Sequence, residues 1–150
     1  MRFCWVTSVH ETYMQAPGKG RRLKTSILRL AIDQRATLHR SLLRYANYFL
    51  DQASRTALAN GRSTIEERLA HWLLMADDRV DGEKLPLTQE FIAMMLGVRR
   101  PGVTVAVQSL ERKRLIERQR GSIVIIDRKA LQKLSNGTYA PAVSNYLSRS

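Results

Sequence analysis

Leu87-Thr88-Gln89-Glu90-Phe91-Ile92-Ala93-Met94-Met95-Leu96-Gly97-Val98-Arg99-Arg100-Pro101-Gly102-Val103-Thr104-Val105-Ala106-Val107-Gln108-Ser109-Leu110 reads as two short helices about a tight corner. Thr88 can cap the first, whose inward positions are Ile92, Met95 and Leu96, and Ala93 is small enough for a second helix to cross closely. Gly97 supplies the left-handed residue that ends it. In the second helix Val103, Ala106, Val107 and Leu110 fall at i, i+3, i+4 and i+7, one apolar face. Arg100, Thr104, Val105, Gln108 and Arg112 are left on the outer side.

That outer side is not composed for solubility. A merely solvated helix would mix Glu with Lys, whereas Thr, Val and Gln suit the base edges and thymine methyls of a major groove. Arg99 and Arg100 stand at the positive end of the helix dipole, unfavourable by a few tenths of a kcal/mol, about 0.3 or more, unless an anion sits there. Pro101 costs nothing in a first turn whose amides have no intrahelical partner.

Downstream, Leu115 to Ile126 reads as strand, Gly-containing turn and strand, with Arg118 and Arg120 at the tip, placed to touch backbone phosphate. Asp127 can cap a last helix from Arg128 to Ser135. Upstream, Ser63 and Glu66 have the spacing of a capping box, opening a helix with Ile65, Leu69, Trp72, Leu73 and Ala76 on one face. His71 lies beside that face without a second metal ligand at useful spacing. Lys84 to Leu87, containing Pro86, can be only an edge strand or a connector.

Before this comes a helical pattern over 31–60, stopping at Asn60-Gly61. Its regular part, about 27 residues from about Asp33 and so some 40 Å at 1.5 Å per residue, exceeds what one small domain needs. Leu38, Leu42, Ala46, Phe49 and Ala53 line one face and Leu43, Leu50 and Leu58 a second, so one stripe is expected to meet a second copy. Residues 1–30 show no sustained period and are expected to be an irregular basic leader; Gly18-Lys19-Gly20 lacks the rest of a phosphate loop. Residues 136–150 are expected to be a flexible tail.

Charge supports the same division. The chain of 150 residues carries +12, with 25 Lys and Arg against 13 Asp and Glu. Seven bases and one acid occupy 19–40, and seven bases and two acids occupy 99–120, whereas 61–90 carries four bases and seven acids. Such segregation favours a polyanionic partner. A lone cysteine, Cys4, suits a reducing cytosol, and no apolar run is long enough to span a membrane, so a cytoplasmic protein is expected. No Ser/His/Asp, Cys/His or paired-carboxylate constellation stands at useful spacing, and His10, His39 and His71 lie in different segments; an enzyme is not expected.

From about Ile27 to Ser135 the sequence resembles the Crp/Fnr family of bacterial transcription regulators. The resemblance is carried by Arg68 to Met75, Leu87 to Phe91, Leu96 to Thr104, and the Arg120-Gly121 wing leading to Ile125-Ile126-Asp127. It implies a mainly α fold with a small β-wing: a dimerisation helix over 31–60, then a winged helix-turn-helix domain over 61–135. It further implies a homodimer on double-stranded DNA, with RNA polymerase as a further partner and the second helix, about Arg100–Arg114, in the major groove. The expected DNA-binding set is Thr88, Gln89, Arg99, Arg100, Thr104, Val105, Gln108, Arg112, Arg118 and Arg120; the dimerisation set is Leu38, Leu42, Ala46, Phe49 and Ala53.

The sequence departs from the family in two ways. Only about thirty residues precede the long helix, without the strands of the family's effector-binding barrel, so no nucleotide pocket carries over and no cofactor is expected; a single cysteine does not support an iron–sulfur cluster. Where many members begin the recognition helix with Ser-Arg-Glu, this chain has Arg99, Arg100 and Pro101, and only Arg100 carries over, as a guanine or phosphate contact. The alternative reading is an interaction protein whose long helix pairs with a full-length relative.

Overall fold

The computed structural model describes residues 19–140. Two helices come first, α1 (Thr25–Gln34) and α2 (Ala36–Arg62), parted at Arg35, whose backbone is extended (φ −134°, ψ 96°). The expected leader is therefore helical from Thr25, and the long helix is interrupted where a continuous one was expected. In one straight helix the half-buried pair Leu28 and Ile32 would sit about 80° around the axis from the half-buried Leu38 and Leu42 at 100° per residue, so an unbroken helix would not put both pairs on one face. Residues 1–18, with Cys4 and His10, lie outside the described residues.

α2 runs through Gly61 to Arg62 instead of stopping at Asn60-Gly61, and Ser63 closes it by donating its N–H to the Ala59 carbonyl. Thr64, not Ser63, is consequently the cap of α3 (Ile65–Asp77): its hydroxyl accepts from Glu67 N, while Glu67 Oε2 accepts from Thr64 N at 2.7 Å. The doublets Ser63-Thr64 and Glu66-Glu67 allow a box in either register. With Ser63 engaged in ending α2, the later register forms.

β1 (Lys84–Leu85), α4 (Gln89–Leu96), α5 (Arg100–Arg112), β2 (Ile116–Gln119), β3 (Ser122–Ile125) and α6 (Arg128–Leu134) follow. The three strands are antiparallel in the order β1-β3-β2, with Leu85 opposite Ile123 and Arg118 also opposite Ile123 on the other side. β1 is thus an edge strand ending before Pro86, as expected of a residue with no N–H to donate. Gly121, at φ +74°, turns the wing.

The core lies where α3 crosses α5 and α6. Leu69, Leu73 and Leu74 of α3, Val103, Val107 and Leu110 of α5, Ile92 of α4 and Leu131 of α6 are fully buried, each stabilising by about 1.5–3 kcal/mol. Asp127 caps α6, accepting from Ala130 N at 2.9 Å. The expected tail is not loose at its start: Thr138 and Tyr139 are buried, and the Tyr139 hydroxyl donates to the Asp78 carboxylate (2.8 Å) while accepting from Arg128 (2.8 Å). Arg128 also pairs with Asp77. An aromatic ring with a satisfied hydroxyl can be buried as readily as an aliphatic side chain, which the low periodicity of this segment conceals.

Candidate nucleic-acid interface

Thr88 begins the interface as the cap of α4, its hydroxyl accepting from Phe91 N at 3.2 Å. Gly97, at φ +61° and ψ 37°, ends that helix in the left-handed conformation, and Arg99 in extended backbone leads into α5. Val103, Ala106, Val107 and Leu110 are all buried. Burying that stripe turns the opposite one outward: Pro101, Val105, Gln108 and Arg112 are exposed, Val105 by 62%.

A valine that bare costs hydration unless something covers it. Arg99 and Arg100 are exposed at the helix start, with no acidic residue in the first turn and no ion pair among the described residues. The N-terminal end of α5 is therefore strongly positive and open to an anion.

Thr104 and Gln89 stand elsewhere than on the outward set. Both are half-buried at the seam between α4 and α5, where the Thr104 hydroxyl lies 3.1 Å from Gln89 Oε1 and 3.2 Å from the Arg100 carbonyl. Arg100 itself borders a cleft of about 290 Å³ between the starts of α4 and α5 and the wing, shared with Thr88, Gln89, Arg118, Gln119 and Ser122. Arg118 reaches this cleft from β2, and Arg120 is exposed at the wing turn.

Several residues that hold the interface in place were not in the expected set. Glu66 accepts from Ser109 (3.0 Å) and from Lys113, fastening the far half of α5 to α3. Arg68 bonds the Leu96 carbonyl at the end of α4 and Asn60 Oδ1 (3.0 Å) on α2. Glu111 accepts the backbone N–H of Arg118 at 3.1 Å. Each pairs residues with no helical or strand register between them, so periodicity carries no trace of it.

α2 meets the winged domain along a polar line. Tyr48, Gln52, Thr56 and Asn60, four apart, face Arg79, Arg79, His71 and Arg68: Arg79 donates to Gln52 Oε1 (2.7 Å) and to the Tyr48 hydroxyl (3.4 Å), and His71 Nε2 is 3.4 Å from the Thr56 hydroxyl. Only Tyr48 and Ala59 of α2 are buried. Of the expected dimerisation residues, Leu38 and Leu42 are half-buried while Ala46, Phe49 and Ala53 are exposed. The second stripe is bare as well, with Leu50 65% and Leu43 57% exposed.

Among the described residues no helix is long and apolar enough to cross a membrane, and no group of three His, Cys, Asp or Glu is placed to hold a metal ion.

Comparison with known proteins bears on the same region. The profile of the Crp-like helix-turn-helix domain matches residues 67–134. FixK2 from Bradyrhizobium japonicum superposes with a TM-score of 0.66 at 27% identity, over 80% of this chain and 61% of FixK2. A CooA mutant from Carboxydothermus hydrogenoformans gives 0.60 at 22% identity, over 72% of this chain and 53% of CooA. TTHB099, a CRP-family transcriptional regulator from Thermus thermophilus, gives 0.55 at 20% identity, over 70% and 55%. The chain thus spans between half and two thirds of the length of these proteins. No curated protein sequence matches it.

Proposed function

We propose that this chain, which carries a Crp-like helix-turn-helix domain at residues 67–134 within the fold of the Crp/Fnr regulators, regulates transcription in the cytoplasm by binding double-stranded DNA as a dimer. α5 enters the major groove with Val105, Gln108 and Arg112 toward base edges. Arg99, Arg100, Arg118 and Arg120 meet the phosphates. The observation that carries this reading is the burial of Val103, Ala106, Val107 and Leu110 beneath an exposed flank that starts in two arginines with no ion pair among the described residues.

Two α5 helices related by a two-fold axis along α2 address half-sites about 34 Å apart. With three to five phosphate contacts per subunit, log affinity falls with log salt at a slope of roughly −5 to −9 for the dimer. Gel-shift titration of a random duplex pool at several salt concentrations tests this. A flat salt response with no enriched motif overturns it.

A second reading is favoured by the exposed Leu43, Leu50 and Leu58: α2 pairs with a longer relative, and the mixed dimer regulates by occupying sites or titrating subunits. Sedimentation of the isolated chain separates the two. A self-dimer supports the first reading, and a monomer that dimerises only with a longer relative supports the second.

A further inference from the structure

Glu111 is the one acidic residue on α5, whose other charged residues are Arg100 and Arg112. It lies one turn beyond Val107, on the side of the helix that faces the wing and away from the flank of Val105, Gln108 and Arg112. One carboxylate oxygen does two things: it accepts the backbone N–H of Arg118 at 3.1 Å and stands 3.7 Å from the Arg118 Nε.

β2 is the outer strand of a sheet ordered β1-β3-β2 and, among the described residues, pairs with β3 alone. Its second edge would otherwise present unpaired backbone groups. A carboxylate from the recognition helix closes that edge at Arg118. It also holds the Arg118 side chain at the cleft that Arg100 borders from the start of the same helix. A charge kept for solubility would point into water. This one is half-covered and set against a phosphate-facing arginine, where it repels a polyanion.

We infer that Glu111 is a positioning residue of the interface: its acceptor oxygen sets the angle of the wing to α5 and brings Arg118 and Arg100 to bear on one stretch of backbone phosphate. The inference rests on the DNA-binding reading above. When DNA arrives, phosphate replaces the carboxylate as partner of the Arg118 guanidinium, while the backbone hydrogen bond persists.

The test uses the full chain as wild type, E111Q, E111A, R118A and E111A/R118A, with two measurements. Amide hydrogen exchange without DNA reads the bond to Arg118. It should be slow in wild type, still slow in E111Q, whose amide oxygen can accept, and at least about tenfold faster in E111A. The salt dependence of duplex affinity reads the interface.

E111A should lose about as much slope as R118A, near 1.8 for two contacts per dimer at ~0.9 each, and the double variant should lose no more. E111Q should keep the slope and bind several-fold tighter, having shed a repelling charge. A slope that falls in R118A and not in E111A, or an Arg118 amide still protected in E111A, overturns the proposal. Duplex binding that is absent in wild type sinks the DNA reading and with it the interface role, and the exchange rates then decide separately whether Glu111 holds the wing.

Discussion

The hydroxyl of Thr104 lies 3.1 Å from Oε1 of Gln89, joining the first turn of α4 to the second turn of α5. The Thr104 hydroxyl is spent on this seam while the Gln89 amide nitrogen is left toward the cleft, and the bond ties the two helices together where they cross. T104V and Q89A should each lower stability by about 0.5–1.5 kcal/mol, the net worth of such a bond. In a double-mutant cycle followed by urea unfolding, the two should couple by about 0.5 kcal/mol or more. Strict additivity would show the contact to be idle.

Arg100 and Gln108 should fail differently. Arg100 borders the cleft beside the wing, whereas Gln108 is exposed on the bare flank of α5. R100A is expected to weaken all duplexes alike and to flatten the salt slope, the behaviour of a phosphate contact. Q108A should leave the slope and lose about 1–3 kcal/mol of discrimination at one base pair. Affinity profiling against single-base variants of a selected site distinguishes them, and the reverse pattern would exchange the two roles.

His71 makes stability sensitive to mild acid. Burial holds its pKa below 6.5, with Arg55 adding to the effect and the Thr138 backbone opposing it. Above pH 6.5 the imidazole is neutral folded and unfolded, and its contribution is fully present. As pH falls below 6.5 the unfolded chain takes up the proton first, so stability declines until pH passes the folded value. Urea midpoints between pH 8 and 5 should fall in wild type and vary less in H71N; an equal slope in both would remove His71 from the account.

Gly102 permits α5 to approach α3. A Cβ there would stand 3.2 Å from Ile65 Cδ1, close enough that Ile65 must yield slightly. G102A should be near neutral, the gain in helix propensity of up to about 1 kcal/mol being offset by that adjustment. G102V should cost about 1–3 kcal/mol by thermal unfolding and weaken DNA binding further, because the start of the recognition helix is displaced. Unchanged stability in G102V would show that this contact is slack.

Much of the interface is legible in the sequence because it follows periodic rules. The 103, 106, 107, 110 spacing foretells which side of α5 is buried, and Gly97 and Asp127 mark their helix ends through local chemistry. Local chemistry also misleads where two registers compete. Ser63 and Thr64 are both competent caps, serine if anything the better, and the closing bond of Ser63 to Ala59 leaves the role to Thr64.

The contribution of Tyr139 is invisible for another reason. Its partners Asp78 and Arg128 come from separate parts of the chain, and a single buried aromatic has no period. On α2 the apolar stripes are left largely bare, Leu38 and Leu42 being half-buried, because the face laid against the winged domain is mostly polar. Hydrophobic pattern finds oily faces and cannot say which neighbour covers them.

That polar seam bears on how rigidly the proposed dimer would measure DNA. Contacts such as Gln52 with Arg79 and Asn60 with Arg68 exchange readily for water, so the apolar cost of tilting the winged domain on its stalk is confined largely to what Tyr48 and Ala59 bury. On the proposed reading, a dimer built this way would be a caliper with a compliant joint. Such a dimer would discriminate sharply within each arm's reach and be forgiving about the gap between the arms.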